Sequence, residues 1–145
     1  MIKEIDGYCD ERADRFFDLF DFLPGQVTAS VIHPNQFSGW HKHKLQQDYF
    51  CVVKGELDVY VVDTLGHLTV TTLSSDKPAV LEINPNEIHS WHSKSFDSVL
   101  IYYLTRKHDE SDEFRLSFDE VMSICLPFQR SKLIELASQI ENPKL

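Results

Sequence analysis

The stretch Ser38–Gly55, "SGWHKHKLQQDYFCVVKG", decides how this chain is read. It sets His41 and His43 one residue apart, follows them with Asp48, and then runs through β-branched and aromatic residues to Lys54 and Gly55. In an extended strand, residues two apart project to the same face, so the two histidines point together into the interior of a sheet structure or together out of it. Gly55 ends the run where a hairpin turn demands a positive φ, which glycine adopts without a Cβ penalty.

The same pattern extends on both sides. Upstream, "QVTASVIH" alternates and stops at Pro34 and Asn35, a pair suited to a turn. Downstream, "GELDVYVVDTLGHLTVTTL" predicts further strands joined at Gly66, and "AVLEINPNEIHSW" and "DSVLIYYLT" continue the series to about Leu104. Many short strands without long intervening helices indicate an antiparallel sandwich or barrel, expected over about residues 10–116. "DERADRFFDLFDF" fits neither a helical nor a strand period cleanly and is read as strand. Ser117 and Glu120 have capping-box spacing, opening a short helix that Pro127 ends. Ser131–Glu141 carries Leu133, Leu136, Ala137 and Ile140 at helical spacing before the stop signals Asn142 and Pro143, so one face of this helix should pack on the barrel. The helical segment is thus expected over about residues 117–141, within a single domain of 145 residues.

Composition narrows the class of function. A formal net charge of -9 opposes binding to a phosphate backbone, so no nucleic-acid partner is expected. Cys9, Cys51 and Cys125 are odd in number and lack C-x-x-C spacing, which fits reduced thiols in a cytoplasmic protein. No apolar run approaches the roughly 20 residues of a membrane helix, and no basic-then-apolar leader opens the sequence. A soluble protein with no membrane partner is the expectation.

A second polar motif lies in "INPNEIHSW". Asn86 stands where a tight turn needs a left-handed residue, which asparagine tolerates better than most, and His89 follows on the next strand. A lone histidine in a strand is usually a surface or satisfied core residue, and His33, His67, His92 and His108 are read that way. His41, His43, Asp48 and His89 form a set instead, because two separated motifs place them in register.

These motifs resemble the two motifs of the cupins: the first has H-x-H, a carboxylate and a glycine, and the second ends in a histidine. In finer detail the ordered pieces "DERADRFF", "GWHKH", "VVKGELDVYVVD", "INPNEIHSW" and "DEFRLSFD", from Asp10 to Asp119, resemble the dTDP-4-dehydrorhamnose 3,5-epimerase branch of that superfamily. "GWHKHKLQQ" also resembles the H-x-H plus glutamine segment of nucleotide-sugar 3,4-ketoisomerases. The resemblance implies an all-β cupin jelly-roll barrel with short C-terminal helices, usually a homodimer, binding a nucleotide-diphosphate sugar at one barrel mouth. His41 then aligns with the general base that removes a proton α to a sugar ketone, with His43 beside it as the second proton-transfer group. Arg12 or Arg15 would supply the phosphate cation, and Gln47, His89 and Trp91 would line the substrate pocket, Trp91 stacking on a sugar or base. The chain departs from the epimerases at Ser38, where they carry arginine, at Asp48, where they carry lysine, and at Lys107 and His108, where they carry a tyrosine pair.

Three functions follow. The first is an epimerase or isomerase of a 4-keto nucleotide sugar, working through His41 and His43 without a certain cofactor. The second is a metal-dependent cupin in which His41, His43, Asp48 and His89 hold a divalent ion such as iron, manganese, zinc or nickel. The third is a non-catalytic sugar-binding cupin. The apolar segment "FFDLFDFLPGQVTASV" adds to the expectation of a homodimer built through its sheets.

Overall fold

The computed structural model describes residues 2, 4–20 and 22–140. Its strands are Gly7–Cys9 (β1), Ala13–Phe16 (β2), Gln26–Ile32 (β3), Trp40–Lys42 (β4), Asp48–Lys54 (β5) and Glu56–Val62 (β6). Leu68–Ser74 (β7), Val80–Ile83 (β8), Ile88–Ser93 (β9), Ser98–Leu104 (β10) and Phe114–Leu116 (β11) complete the set, followed by helices Phe118–Ile124 (α1) and Arg130–Ser138 (α2). The strands pair antiparallel in two sheets, ordered β1-β2-β3-β10-β5-β8 and β11-β4-β9-β6-β7. This is the all-β jelly roll with short C-terminal helices.

Alternation of side chains on β6 shows how the layers stack. Leu57 and Val59 face the other sheet and pack with Ile32, Val52, Ile83 and Leu100. Tyr60 and Val62, one residue out of phase, face away and pack with Trp40, Val121, Leu133 and Leu136. The five-stranded sheet is therefore buried on both faces, between the barrel interior and the helices. Three joints seat those helices. Ser117 and Glu120 make the reciprocal capping box at 3.2 Å each way. The Leu126 amide donates to the Gly66 carbonyl at 2.9 Å, and Gln129 clamps both the amide and the carbonyl of Leu68 at 2.8 Å. Gly66 has φ of +85°, and a Cβ there would lie 2.6 Å from the Ile124 carbonyl oxygen. No other residue fits that joint without moving α1.

The six-stranded sheet has one buried face. Val53, Val80 and Ile101 are exposed on its outer side, and among the described residues no helix covers them. Helix boundaries shift slightly from expectation. α1 stops at Ile124, and Pro127 opens a separate 3₁₀ turn, as its missing amide favours. α2 begins at Arg130 and closes at Ser138, where the Gln139 amide turns back to the Leu136 and Ala137 carbonyls. Glu141, Asn142 and Pro143 lie outside the described residues. The N-terminal segment is strand only as far as Phe16, because Asp18 takes a φ of 49° and breaks the extended path.

Candidate functional site

Strand β4 lies between β9 and β11, and its middle residue is His41. His41 pairs across the ladder with His89 on one side and Arg115 on the other. Alternation sends Trp40 outward to the helices and His41 and His43 inward, and it sends His89 and Trp91 inward from β9. Asp48 enters from the first position of β5, on the opposite sheet. The rings of His41 and His89 are 4.2 Å apart between centroids, and those of His41 and His43 are 5.3 Å apart. One ligand atom from each of His41, His43, Asp48 and His89 falls within 4.8 Å of all the others.

Three of the four groups, His43, His89 and Asp48, are held from behind. His43 donates its Nδ1–H to the Asp112 carbonyl at 2.8 Å, and His89 donates its Nδ1–H to the Glu87 carbonyl at 3.0 Å. Both rings therefore turn Nε2 towards the centre, where Asp48 Oδ2 lies 3.8 Å from His43 and 3.3 Å from His89. Gln46 Nε2 donates to Asp48 Oδ1 at 2.5 Å and fixes the carboxylate plane. The two motifs are tied together by the Asn86 amide, which donates to the His43 carbonyl at 2.6 Å. Asn86 does so from a φ of 68°, the left-handed conformation its place in the turn requires.

Asp112 is the support that sequence reasoning missed. Its carbonyl holds His43, while its carboxylate accepts from the backbone amides of Lys44, Leu45 and Gln46 at 2.9, 3.1 and 3.0 Å. Burial alone would push this carboxyl up, but the three amides, helped by His43, outweigh it and bring it below the ordinary aspartate range. A neutral Asp112 would leave the loop between β4 and β5 without its anchor.

The donor set fits a divalent ion. With Nδ1–H used on a carbonyl, a neutral imidazole presents a lone pair at Nε2, and a lone pair facing a carboxylate oxygen is repulsive unless a cation lies between them. His89 Nε2 and His41 Nδ1 are buried and lack a hydrogen-bond partner. Burial pushes the His41 pKa well below its usual value, and the nearby His89, His43 and Arg115 push it further, so this ring is neutral at pH 7. Opposite ligands about 2.1 Å from a shared ion stand roughly 4.2 Å apart, so donors within 4.8 Å need only small shifts to share one.

A cavity of about 430 Å³ opens beside these residues, with His41, His43, Asp48 and Trp91 on its wall. The other expected substrate residues divide. Arg12 lies on the cavity wall but is spent on structure, with its guanidinium donating to Asp10 and to the Ser38 carbonyl. Arg15 also reaches the cavity. Gln47 is placed outside it, because its side chain turns to Glu82 and Asn84, and Gln46 lines the cavity instead. Ser38 Oγ accepts from the Trp91 amide at 2.8 Å and locks that strand, which accounts for a small residue there. His108, read as background in the sequence, lines the cavity, as do Gln26, Thr28 and Ser30 of β3. The signal for the last three was present: in "QVTAS" the polar residues alternate, so one face of a buried strand had to be polar.

No protein-family profile matches the chain, and no curated protein sequence does. Solved structures do match. The capsular polysaccharide assembling protein CapF from Staphylococcus aureus is 21% identical with a TM-score of 0.69, over 79% of this chain and 32% of CapF. KdgF from Halomonas sp. is 15% identical with a TM-score of 0.60, over 73% of this chain and 90% of KdgF. Oxalate decarboxylase from Bacillus subtilis is 13% identical with a TM-score of 0.66, over 94% of this chain and 35% of the enzyme. The chain thus spans about a third of the length of CapF and of oxalate decarboxylase. At these identities the likeness speaks for the fold: with its two antiparallel sheets closed around the histidine cluster, this chain has the jelly-roll fold seen in those cupin structures.

Proposed function

We propose that the chain is a metal-dependent cupin enzyme in which His41, His43, His89 and Asp48 hold one divalent ion and the adjoining cavity takes a small carbonyl compound. The observation that carries this reading is the convergence of three imidazoles and a carboxylate oxygen on one centre, with His43, His89 and Asp48 each oriented by a partner behind it. When bound, the ion supplies Lewis acidity to a carbonyl or carboxylate oxygen of the substrate. His41 is the least buried of the four. Trp91 offers an apolar wall on which the substrate is oriented, and the half-buried Tyr102 lines the same space, where its hydroxyl can hold a proton. Among the described residues no helix is long and apolar enough to cross a membrane, and the free Cys9, Cys51 and Cys125 accord with a cytoplasmic protein.

Metal analysis of protein purified without an affinity tag tests this. The expected result is about one ion per chain, retained through dialysis and lost in His43→Ala and Asp48→Ala. Protein that binds neither zinc, manganese, iron nor nickel would overturn the reading.

A second reading keeps His41 as a metal-free general base in an epimerase or isomerase of a 4-keto nucleotide-diphosphate sugar. What favours it is His41 itself, neutral and on the cavity wall with Nδ1 free of a hydrogen-bond partner, and it accords with the likeness to a protein described as assembling capsular polysaccharide. His41→Asn should then abolish solvent-deuterium incorporation into such a sugar while leaving its binding nearly unchanged, since a base acts chiefly in the transition state. If neither exchange nor metal is found, a non-catalytic sugar-binding role is what stays. The homodimer belongs to this proposal too, formed through the outer face of the six-stranded sheet, where Val53, Val80 and Ile101 are exposed.

A further inference from the structure

At one end of the cavity two guanidiniums share a single carboxylate. Asp10 Oδ2 serves two guanidiniums at once, Arg12 Nη2 at 2.9 Å and Arg15 Nη1 at 3.2 Å. Arg12 uses all three of its guanidinium nitrogens, on Asp10 and on the Ser38 carbonyl. Arg15 uses only Nη1, on Asp10 and the Ala13 carbonyl, and among the described residues its Nε and Nη2 have no partner. Its side chain is 16% exposed, so these donors sit largely out of water on the cavity wall. The third arginine there, Arg115, is paired with Glu113 at 3.2 Å and is mostly exposed. A guanidinium largely shielded from water, with idle donors, is costly unless something meets it.

The wall beside Arg15 is polar where a barrel core would be apolar. Gln26, Thr28 and Ser30 point inward from β3 and are all buried, and Gln26 Nε2 donates to Thr28 Oγ1 at 3.3 Å. Tyr102 stands opposite Thr28 in the ladder. Arg15, Tyr102, Asp48, His41 and His43 all line the same cavity, so the guanidinium and the histidine–aspartate centre face one chamber.

We propose that this chamber is the subsite for the carboxylate of a small polyhydroxylated acid, held by the free Nε and Nη2 edge of Arg15, with hydroxyls on Gln26, Thr28 and Ser30. The proposal rests on the metal-dependent reading above, in which the other end of the same substrate meets the His41–His89 centre. A guanidinium edge matches the two oxygens of a carboxylate with parallel hydrogen bonds. One free guanidinium balances one carboxylate. A diphosphate, with two or more charges, would need more, and among the described residues no lysine lines the cavity. In a protein of net charge -9, the end of the cavity where Arg12 and Arg15 share Asp10 is where an anion is best received.

The test compares acids with their neutral parents on zinc-loaded protein: D-glucuronate against D-glucose, D-galacturonate against D-galactose, and D-gluconate against D-glucitol, with glucose 6-phosphate and dTDP as the phosphate arm. Binding is read by saturation-transfer NMR and calorimetry, and zinc content is measured on the same samples. At least one acid should bind about tenfold or more tighter than its parent, Arg15→Gln should erase that preference with zinc content unchanged, and Arg15→Lys should retain part of it. Zinc uptake without any acid preference, a preference that survives Arg15→Gln, or tighter binding of the phosphate compounds would each overturn the subsite. Acid preference in protein that takes up no zinc would support the subsite and count against the metal reading alone.

Discussion

The two sheets face one cavity and differ in what they send into it and in what covers their backs. The five-stranded sheet brings His41, His43 and Trp91 to the cavity wall, holds His89 buried beside them, and is backed by α1 and α2 through Trp40, Tyr60, Leu133 and Leu136. The six-stranded sheet contributes Asp48, Tyr102 and the polar row Gln26, Thr28 and Ser30, and its outer face leaves Val53, Val80 and Ile101 exposed. The sheet that must hold three imidazoles within a few ångströms is packed on both sides. The sheet that lines the chamber is backed by nothing among the described residues, and its apolar outside is what a second copy would cover. Rigidity is placed where ligand geometry demands it, since a metal centre loses affinity when its supporting residues shift.

The largest effect should come from the helical backing. Leu133 and Leu136 are fully buried against the five-stranded sheet, so Leu133→Ala should cost about 2–5 kcal/mol, measured by denaturant unfolding. Because that packing supports β4 and β9, metal affinity should fall in the same variant. Val53→Ala, on the open face, should change the stability of the monomer by less than about 0.5 kcal/mol. Equal losses at the two positions would erase the contrast between the sheets.

Asp112→Asn comes next. The side chain still fills its place but loses the charge that holds the amides of Lys44, Leu45 and Gln46. Metal affinity should fall by about 10–100-fold, the usual effect of removing a supporting partner, with all four ligands intact. An unchanged affinity in calorimetry would mean that His43 is held well enough without it.

On the opposite face, Ile101→Lys should shift light scattering from dimer to monomer at micromolar concentration while leaving metal content unchanged, since the residue is on the outer side of β10. A wild-type monomer under those conditions would remove the dimer from the account.

The smallest effect is in acid. Burial works against the Asp10 carboxylate, but the Arg12 side chain and the amides of Arg12 and Ala13, with the charge of Arg15, hold it far below the usual range. A depressed carboxyl stabilises the fold above its unfolded pKa of about 3.9, and that stability is lost as pH falls below it. Asp10→Asn should therefore lower stability at pH 7 and flatten its decline between about pH 5 and pH 2. Parallel pH profiles for wild type and variant would exclude the linkage.

Much of this contrast is legible in the residues. His41, His43 and His89 could be grouped because strand alternation is strict, and Asn86 was readable because few residues tolerate its φ. The capping box at Ser117 and Glu120 is a local signal and appears where its spacing puts it. Gln46 and Gln47 could not be told apart, because the loop between β4 and β5 has no period and its path is set by Asp112, more than sixty residues away in sequence. The split between Arg12 and Arg15 was hidden for a similar reason: it depends on Asp10 being shared between them in a turn. Helix α2 falls short of the expected end because Ile140 packs from the turn after Ser138 and needs no further helix.

The central claim is that three imidazoles and one carboxylate share an ion, and X-ray absorption at the metal edge of the loaded protein tests it most directly. The account predicts three histidine nitrogens at about 2.0–2.1 Å with a carboxylate oxygen at about 2.0–2.2 Å, and one fewer nitrogen in His89→Ala. A coordination shell without imidazole scattering, or a protein that holds no metal after challenge and dialysis, would contradict it.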